Sequence, residues 1–422
     1  MIRRLGSFLV LLTLATVAGQ AQAPAPAPPA PPTAAPGAAP GGRGGRGGGP
    51  AIKSPEVTAD GRVTFRLRAP MAKEAVVTMG GTRLPMEKND QGVWTATSEV
   101  LKPDYYTYSF AVDGTSVGDP SNRQVQTSFG SFQSMFVVPG PQPWLPQPGV
   151  PRGAVTRRSF HSAIANDDRD FFVYTPAGYD ARRAQAYPIL YLLHGLGDDA
   201  ERWMNSGGAN IILDNLIAQG KAVPMVMVTT LGYGVNNGPA GAMAPESITG
   251  YTRILLDEVM PRVDKAYNVT KNRDERAIAG LSMGGAETMY TGLNHLDKFA
   301  WMGSFSGAYV MWPGANAQTP AAPAGTPAPG GRGGGVQVMD EAAFTKNFPT
   351  LDAKANAQIR MLWIVCGTAD GLIGVNRQFK TWLKSKNVQF TEQEVPDMGH
   401  VWPLWRQNLT DMTQKLFQPK SK

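Results

Sequence analysis

The chain has 422 residues, with 40 Lys and Arg against 33 Asp and Glu, a formal charge of +7, one cysteine and four histidines. That length accommodates two domains with linkers, the lone Cys366 excludes an internal disulfide and any cysteine-based metal site, and so few histidines argue against a zinc enzyme. Several of the basic residues lie in the first four positions or in Gly-Arg-Gly tracts, so the positive balance does not call for a nucleic-acid partner.

The first residues read Met1-Ile2-Arg3-Arg4, followed by an apolar run over 5–18 and then small residues. A basic start, a short apolar core and a small-residue end predict a secretory signal, too short and wrongly flanked for a membrane-spanning helix. Cleavage after Ala21 or after Ala23 fits the small-x-small rule, and Pro24 disfavours the second site, so residues 1–21 are expected to be removed. The mature chain is then expected to be secreted or periplasmic, with no integral membrane segment. Residues 22–50 are Ala/Pro-rich and then Gly/Arg-rich, which predicts a linker without a core of its own.

From residue 51 the pattern becomes short alternating runs. Val63, Phe65 and Leu67 alternate with Thr64, Arg66 and Arg68; Val76-Val77 precedes Gly80-Gly81; Val93-Trp94 follows Asp90-Gln91-Gly92; Tyr106, Tyr108, Phe110 and Val112 share one face. Period-two strands divided by Gly/Asp turns predict a small antiparallel β-sandwich over 51–140. The segments "DGRVTFRLRAP" and "YTYSFAVDG", the Trp94 strand and Asp119-Pro120-Ser121-Asn122 resemble the early-set, immunoglobulin-like modules of branching enzymes and isoamylases. The resemblance implies two roles for Trp94 and Tyr105: exposed contacts for a plant-wall glycan, or packing in the sandwich core and on the next domain.

A Pro/Gly-rich linker over 141–157 leads to a region, 158–418, in which strands alternate with helices. Strands are predicted over 171–175, 187–193, 225–228, 277–281, 301–305, 361–366 and 388–395. Between them, helical stripes are formed by Ile211, Leu213, Leu216 and Ile217, by Leu256, Val259 and Val263 with Pro261 as a candidate kink, by Val375, Phe379 and Leu383, and by Trp405, Leu409, Met412 and Leu416. The expected fold class is therefore α/β, a mostly parallel sheet with helices on both faces, preceded by the sandwich. A Pro/Gly/Ala-rich insertion over 314–337 interrupts this pattern without supplying evident chemistry.

Residues 277–285 end an apolar run in Gly280-Leu281-Ser282-Met283-Gly284, then turn helical. This strand–turn–helix context for Gly-x-Ser-x-Gly is that of a serine nucleophile at the top of an α/β-hydrolase sheet, with Met283 N–H facing a developing oxyanion. In that fold the acid and the histidine follow the serine. Only His295 and His400 do so, and His295 lies three turns along the helix that leaves the elbow, which makes His400 the candidate base. Asp370, in the turn after the 361–366 strand, is the favoured acid; Asp397, in the histidine's own loop, is the rival. His194-Gly195-Leu196-Gly197 ends an early strand, where Leu196 N–H would be the second oxyanion donor and His194 a brace for the loop.

Over 158–418 the segments "YLLHGLGDDAERW", "LDNLIAQGKAVPMVMV", "RAIAGLSMGG", "CGTADGLIG" and "MGHVWPLW" resemble the esterase D-type α/β-hydrolases. Within these they resemble the feruloyl and acetyl-xylan esterases of carbohydrate esterase family 1. The resemblance implies a serine esterase with the triad Ser282, His400 and Asp370, oxyanion amides at Leu196 and Met283, and Trp402 lining the acyl pocket. It implies neither cofactor nor metal, and a small-molecule or polysaccharide ester as substrate, feruloyl or acetyl esters of xylan first. A siderophore lactone hydrolase of the enterochelin-esterase type, a mycolyltransferase-like acyltransferase and a non-catalytic glycan-binding protein are the alternatives. Two departures stand out: Asp198 replaces the last glycine of the family's His-Gly-x-Gly-Gly, and the 314–337 insertion occupies a region that shapes the pocket in relatives.

Overall fold

Alternation of apolar and polar side chains builds the N-terminal half. In the computed structural model, which describes residues 51–418 other than 130, 235–237, 243, 245 and 320–335, ten strands precede residue 140. The expected signal (1–21), the first linker (22–50) and most of the 314–337 insertion lie outside the described residues. The ten are β1 (Glu56–Val57), β2 (Val63–Arg68), β3 (Ala75–Met79), β4 (Thr82–Pro85), β5 (Glu87–Lys88), β6 (Val93–Thr97), β7 (Asp104–Val112), β8 (Thr115–Val117), β9 (Val125–Ser128) and β10 (Ser131–Val138). They form two antiparallel sheets, ordered β1-β2-β6-β5 and β4-β3-β7-β10-β9, with β8 on β7. Side chains of both sheets, among them Phe65, Trp94, Tyr108, Phe110 and Phe136, make one apolar cluster. Trp94 is buried there with its Nε1–H donated to Ala69 O (2.9 Å), so it fills a core. The Asp119–Asn122 turn is tied in below: Asp119 accepts from Tyr108 OH (2.7 Å) and Ser54 Oγ (2.5 Å).

The second half is one eight-stranded sheet: β11 (Ala154–Ser162), β12 (Asp167–Thr175), β13 (Ile189–Leu193), β14 (Val226–Thr230), β15 (Arg276–Leu281), β16 (Trp301–Phe305), β17 (Met361–Gly367) and β18 (Thr391–Val395). Its order is β11-β12-β14-β13-β15-β16-β17-β18, antiparallel at β11/β12 and β12/β14 and parallel elsewhere. The central strands β13 to β17 are buried almost throughout, as the unbroken apolar runs predict for strands covered on both faces. Two apolar clusters, on opposite faces, hold the helices: α1 (Arg202–Asn205), α2 (Ala209–Ala218), α3 (Ser247–Arg253), α4 (Met260–Ala266), α5 (Met283–Asn294), α6 (Ala342–Asn347), α7 (Ile373–Ser385) and α8 (Trp402–Thr413). None of them is long and apolar enough to cross a membrane.

Two expectations need correction. The sheet begins at Ala154, inside the stretch assigned to the 141–157 linker, because β11 is an exposed edge strand whose sequence carries no apolar alternation. The last strand starts at Thr391 and not at 388, with Val388 buried ahead of it in a loop. The widened π-helical segment Ile254–Val259 joins α3 to α4 in one helical run, and Pro261 lies just past it.

The described residues from Ile52 onward form one compact unit, and a buried cation joins its two halves. Arg406 of α8 is 3% exposed; Nη1 donates to Asp104 Oδ1 on β7 (2.6 Å), and Nε and Nη2 donate to Ser206 O (3.0 and 2.7 Å). Its guanidinium also lies 5.1 Å from the Tyr105 ring centroid, which gives Tyr105 its place as a packing residue between the halves. Removing one partner of a buried, multiply bonded ion pair leaves a charge without compensation, at about 3–5 kcal/mol. Arg406→Ala is therefore expected to lose about that much stability in urea unfolding, and a loss under about 1 kcal/mol would contradict the bridging role.

Candidate active site

Ser282 sits where β15 turns into α5, with φ 54° and ψ −117°. A non-glycine residue in that region carries about 1–3 kcal/mol of strain, so its surroundings must impose it. Its N–H donates to Phe305 O (2.9 Å), and its carbonyl accepts from Ala286 N–H (3.1 Å) and Ala308 N–H (2.9 Å). Gly280 and Gly284 make the turn sterically possible. A Cβ on Gly280 would lie 2.4 Å from Gly284 O, and one on Gly284 would lie 2.5 Å from His194 O. Met283, buried, is the first residue of α5, where amides have no acceptor within the helix.

His400 lies between β18 and α8, and its Nδ1 is 2.9 Å from Asp370 Oδ2. Asp370 is 1% exposed in the turn after β17, and its Oδ1 accepts from Leu372 N–H (2.9 Å). Burial pushes the Asp370 carboxyl up, but the hydrogen bond and charge of His400, with the Leu372 amide and Ser306, outweigh it and hold the group below the ordinary carboxylate range. Asp397 is exposed and lies outside this pairing; its N–H is held by Thr368 Oγ1 (2.9 Å). The edge of His400 packs on Trp405, centroids 4.8 Å apart, and with Nδ1 engaged the free nitrogen is Nε2.

One cavity of about 350 Å³ gathers Ser282, His400, Leu196 and Trp402 on its wall. A direct Ser282–His400 hydrogen bond is not among the contacts these residues make; such bonds commonly tighten only when substrate is bound. Leu196 is half exposed at the crest of the loop after β13. His194 braces that loop: Nε2 accepts from Gly232 N–H (2.9 Å), which leaves Nδ1–H to donate to Gly195 O (2.8 Å). Trp402 stands edge-to-face on Trp203 and Trp405 (5.2 and 5.3 Å), so it both packs α8 and lines the cavity.

Other residues had no place at the site in the reading of the sequence. Asp198 lies there beside Arg202 (3.0 Å to Nε), and burial pushes its carboxyl up to about 6 against the pull of that arginine. Trp405 also lines it, although its spacing in the sequence marks only a helix stripe. Ser128 and Phe129 arrive from the N-terminal half, and nothing local in the sequence announces them. On α5, Glu287 is fully buried, its carboxyl pushed well above the ordinary range by burial, with Oε2 lacking a hydrogen-bond partner among the described residues. A lone glutamate inside a run of small and apolar residues was its only signal.

The Esterase family model ("Putative esterase") matches residues 162–416. The chain belongs to the Esterase family. Among curated relatives it is 28% identical over 383 residues to an endo-1,4-beta-xylanase/feruloyl esterase of Xylanibacter ruminicola, covering 87% of this chain and 46% of that protein. The chain spans less than half the length of the first curated relatives it matches. Its fold is similar to that of a carbohydrate esterase family 1 ferulic acid esterase from Anaeromyces mucronatus, at 23% identity and TM-score 0.51 over 64% of this chain and 93% of that one. It is also similar in fold to the enterobactin esterase of Shigella flexneri, at 20% identity and TM-score 0.55 over 84% of this chain and 94% of that one. The esterase motifs read from the sequence and the family match thus agree in kind.

The buried histidine makes a stability prediction. Burial pushes His194 from its ordinary 6.5 down to about 4, so below 6.5 the unfolded chain takes up this proton before the folded one. Its contribution is therefore intact above 6.5 and is lost as pH falls toward 4, by about 3 kcal/mol in all at about 1.4 kcal/mol per pH unit. Urea unfolding at pH 7.5 and pH 5 is expected to show a smaller pH-dependent loss in His194→Gln than in the parent. Equal losses would contradict a neutral buried His194.

Proposed function

We propose that the protein is a serine carboxylic-ester hydrolase working through an acyl-enzyme. The observation that carries this reading is a strained Ser282 sharing one cavity with a histidine whose other nitrogen is engaged by a buried carboxylate. Ser282 Oγ attacks the ester carbonyl while His400 Nε2 takes its proton, and Asp370 keeps the ring oriented and stabilises the imidazolium. The Met283 and Leu196 amides receive the oxyanion, a term of about 3–4 kcal/mol per donor in related chemistry. His400 then protonates the leaving alkoxide, activates water, and the second tetrahedral intermediate collapses to acid and free Ser282.

The substrate read here is a feruloyl or acetyl ester on xylan. It is supported by the name of the Xylanibacter relative and by a cavity whose walls include Trp402, Trp405 and Phe129, which suit a flat aromatic acyl group. Residues 1–21 are read as a secretory signal and 22–50 as a linker, which would bring the enzyme to such polymers. The 51–140 region is read as an early-set, immunoglobulin-like module, supported by the apolar cluster its two sheets share. A plant-wall glycan remains a candidate partner of that module, through a surface other than the buried Trp94. A siderophore lactone hydrolase is the second reading, favoured by the coverage of the Shigella enzyme, which extends past the hydrolase region.

Methyl ferulate, acetylated xylan and ferric enterobactin assayed side by side separate these readings. Turnover of the ferulate or the xylan ester is expected, falling by at least about 10⁴-fold in kcat for Ser282→Ala. Unchanged hydrolysis in that variant would overturn the catalytic assignment, and exclusive cleavage of the siderophore would replace the substrate reading.

A further inference from the structure

We propose that Phe129, at the tip of the β9–β10 hairpin in the N-terminal half, determines acyl-group specificity in the catalytic cavity. The inference rests on the esterase reading above. It begins from an oddity of placement. Phe129 is a large apolar side chain on a hairpin tip, 41% exposed, yet its exposed surface faces the cavity that holds Ser282 and His400 and not open solvent alone. A hairpin tip has no folding need for such a ring, since polar and small residues serve turns better.

The tip is also held too firmly to be an incidental neighbour. Phe129 N–H donates to Gly197 O (3.0 Å), within the loop that presents Leu196. Two residues back, Thr127 Oγ1 donates to Asp199 Oδ2 (2.7 Å), and Thr127 O accepts from Arg202 Nη1 (3.3 Å). The ring meets Tyr233 edge-to-face, centroids 5.2 Å apart and planes at 88°. On another side is Gly238, where a Cβ would come within 3.3 Å of the ring. Tyr233 in turn accepts from Gly197 N–H (2.8 Å) and donates to Asp198 O (3.1 Å), closing a circuit between hairpin, ring and loop.

A ring fixed in this way loses little conformational freedom when a substrate packs against it, which is what makes an aromatic wall selective. Phe129 and Trp402, brought from distant parts of the chain, give the cavity two aromatic walls beside Ser282. A cinnamoyl group would gain contact with such a wall, whereas an acetyl group is too small to reach far from the carbonyl. Phe129 touches no atom that changes bonding in the reaction, so its effect falls on substrate seating.

The test compares 4-nitrophenyl ferulate with 4-nitrophenyl acetate, which share a leaving group and differ only in the acyl part. Phe129→Ala is expected to lower the ferulate-to-acetate ratio of kcat/KM about tenfold, mainly through KM for the ferulate, and Phe129→Tyr to restore it. Circular dichroism and melting temperature establish that each variant is folded. A parallel fall for both esters, or a ratio unmoved by Phe129→Ala, would overturn the proposal. A parent protein that cleaves neither ester would overturn the esterase reading and this inference together, an outcome distinct from the other two.

Discussion

The site depends on a backbone conformation that serine does not adopt on its own. Ser282 is held at positive φ because β15 and α5 meet with no side chain between Gly280 and Gly284, and because Phe305, Ala286 and Ala308 fix its amide and carbonyl. Strain at such a residue persists only when the packing around it outweighs it. Here the neighbours are the most buried strands of the sheet, and the same close approach sets Gly284 N–H on His194 O, tying the serine turn to the loop that carries Leu196. Ser282 and both oxyanion candidates are thus parts of one packed unit.

The histidines show how environment separates roles. His194 is closed on both nitrogens by Gly195 and Gly232 and kept neutral by burial, so it can only brace. His400 has one nitrogen on Asp370 and one left over. The carboxyls divide likewise. Asp370 is held low by its hydrogen bonds, Asp198 is pushed up beside Arg202, and Glu287 is pushed up by burial alone. These three acids therefore meet three different electrostatic settings, and Asp370 is the one hydrogen-bonded to His400.

Much of this was legible in the sequence because it is local. Unbroken apolar runs such as 187–193 and 277–281 signal strands covered on both faces, and Gly-x-Ser-x-Gly between a strand and a helix signals the turn. A count of four histidines narrows the candidate base to His400. What was not legible is non-local or lacks an apolar pattern. β11 is exposed along most of its length, so nothing in Ala154–Ser162 marks it as a strand except its pairing with β12. Phe129 reaches the cavity through contacts with residues some seventy positions away, and no local spacing encodes that meeting.

The central claim is that Ser282 is a nucleophile activated within this cavity, and stoichiometric phosphylation tests it most directly. After incubation with diethyl 4-nitrophenyl phosphate, intact-mass and peptide analysis should find one diethylphosphoryl group per chain, on Ser282, with loss of ester hydrolysis in proportion. Labelling should vanish in Ser282→Ala and slow sharply in His400→Ala, since the histidine must take the serine proton. A label on another residue, or full esterase activity in a chain labelled at Ser282, would contradict the account.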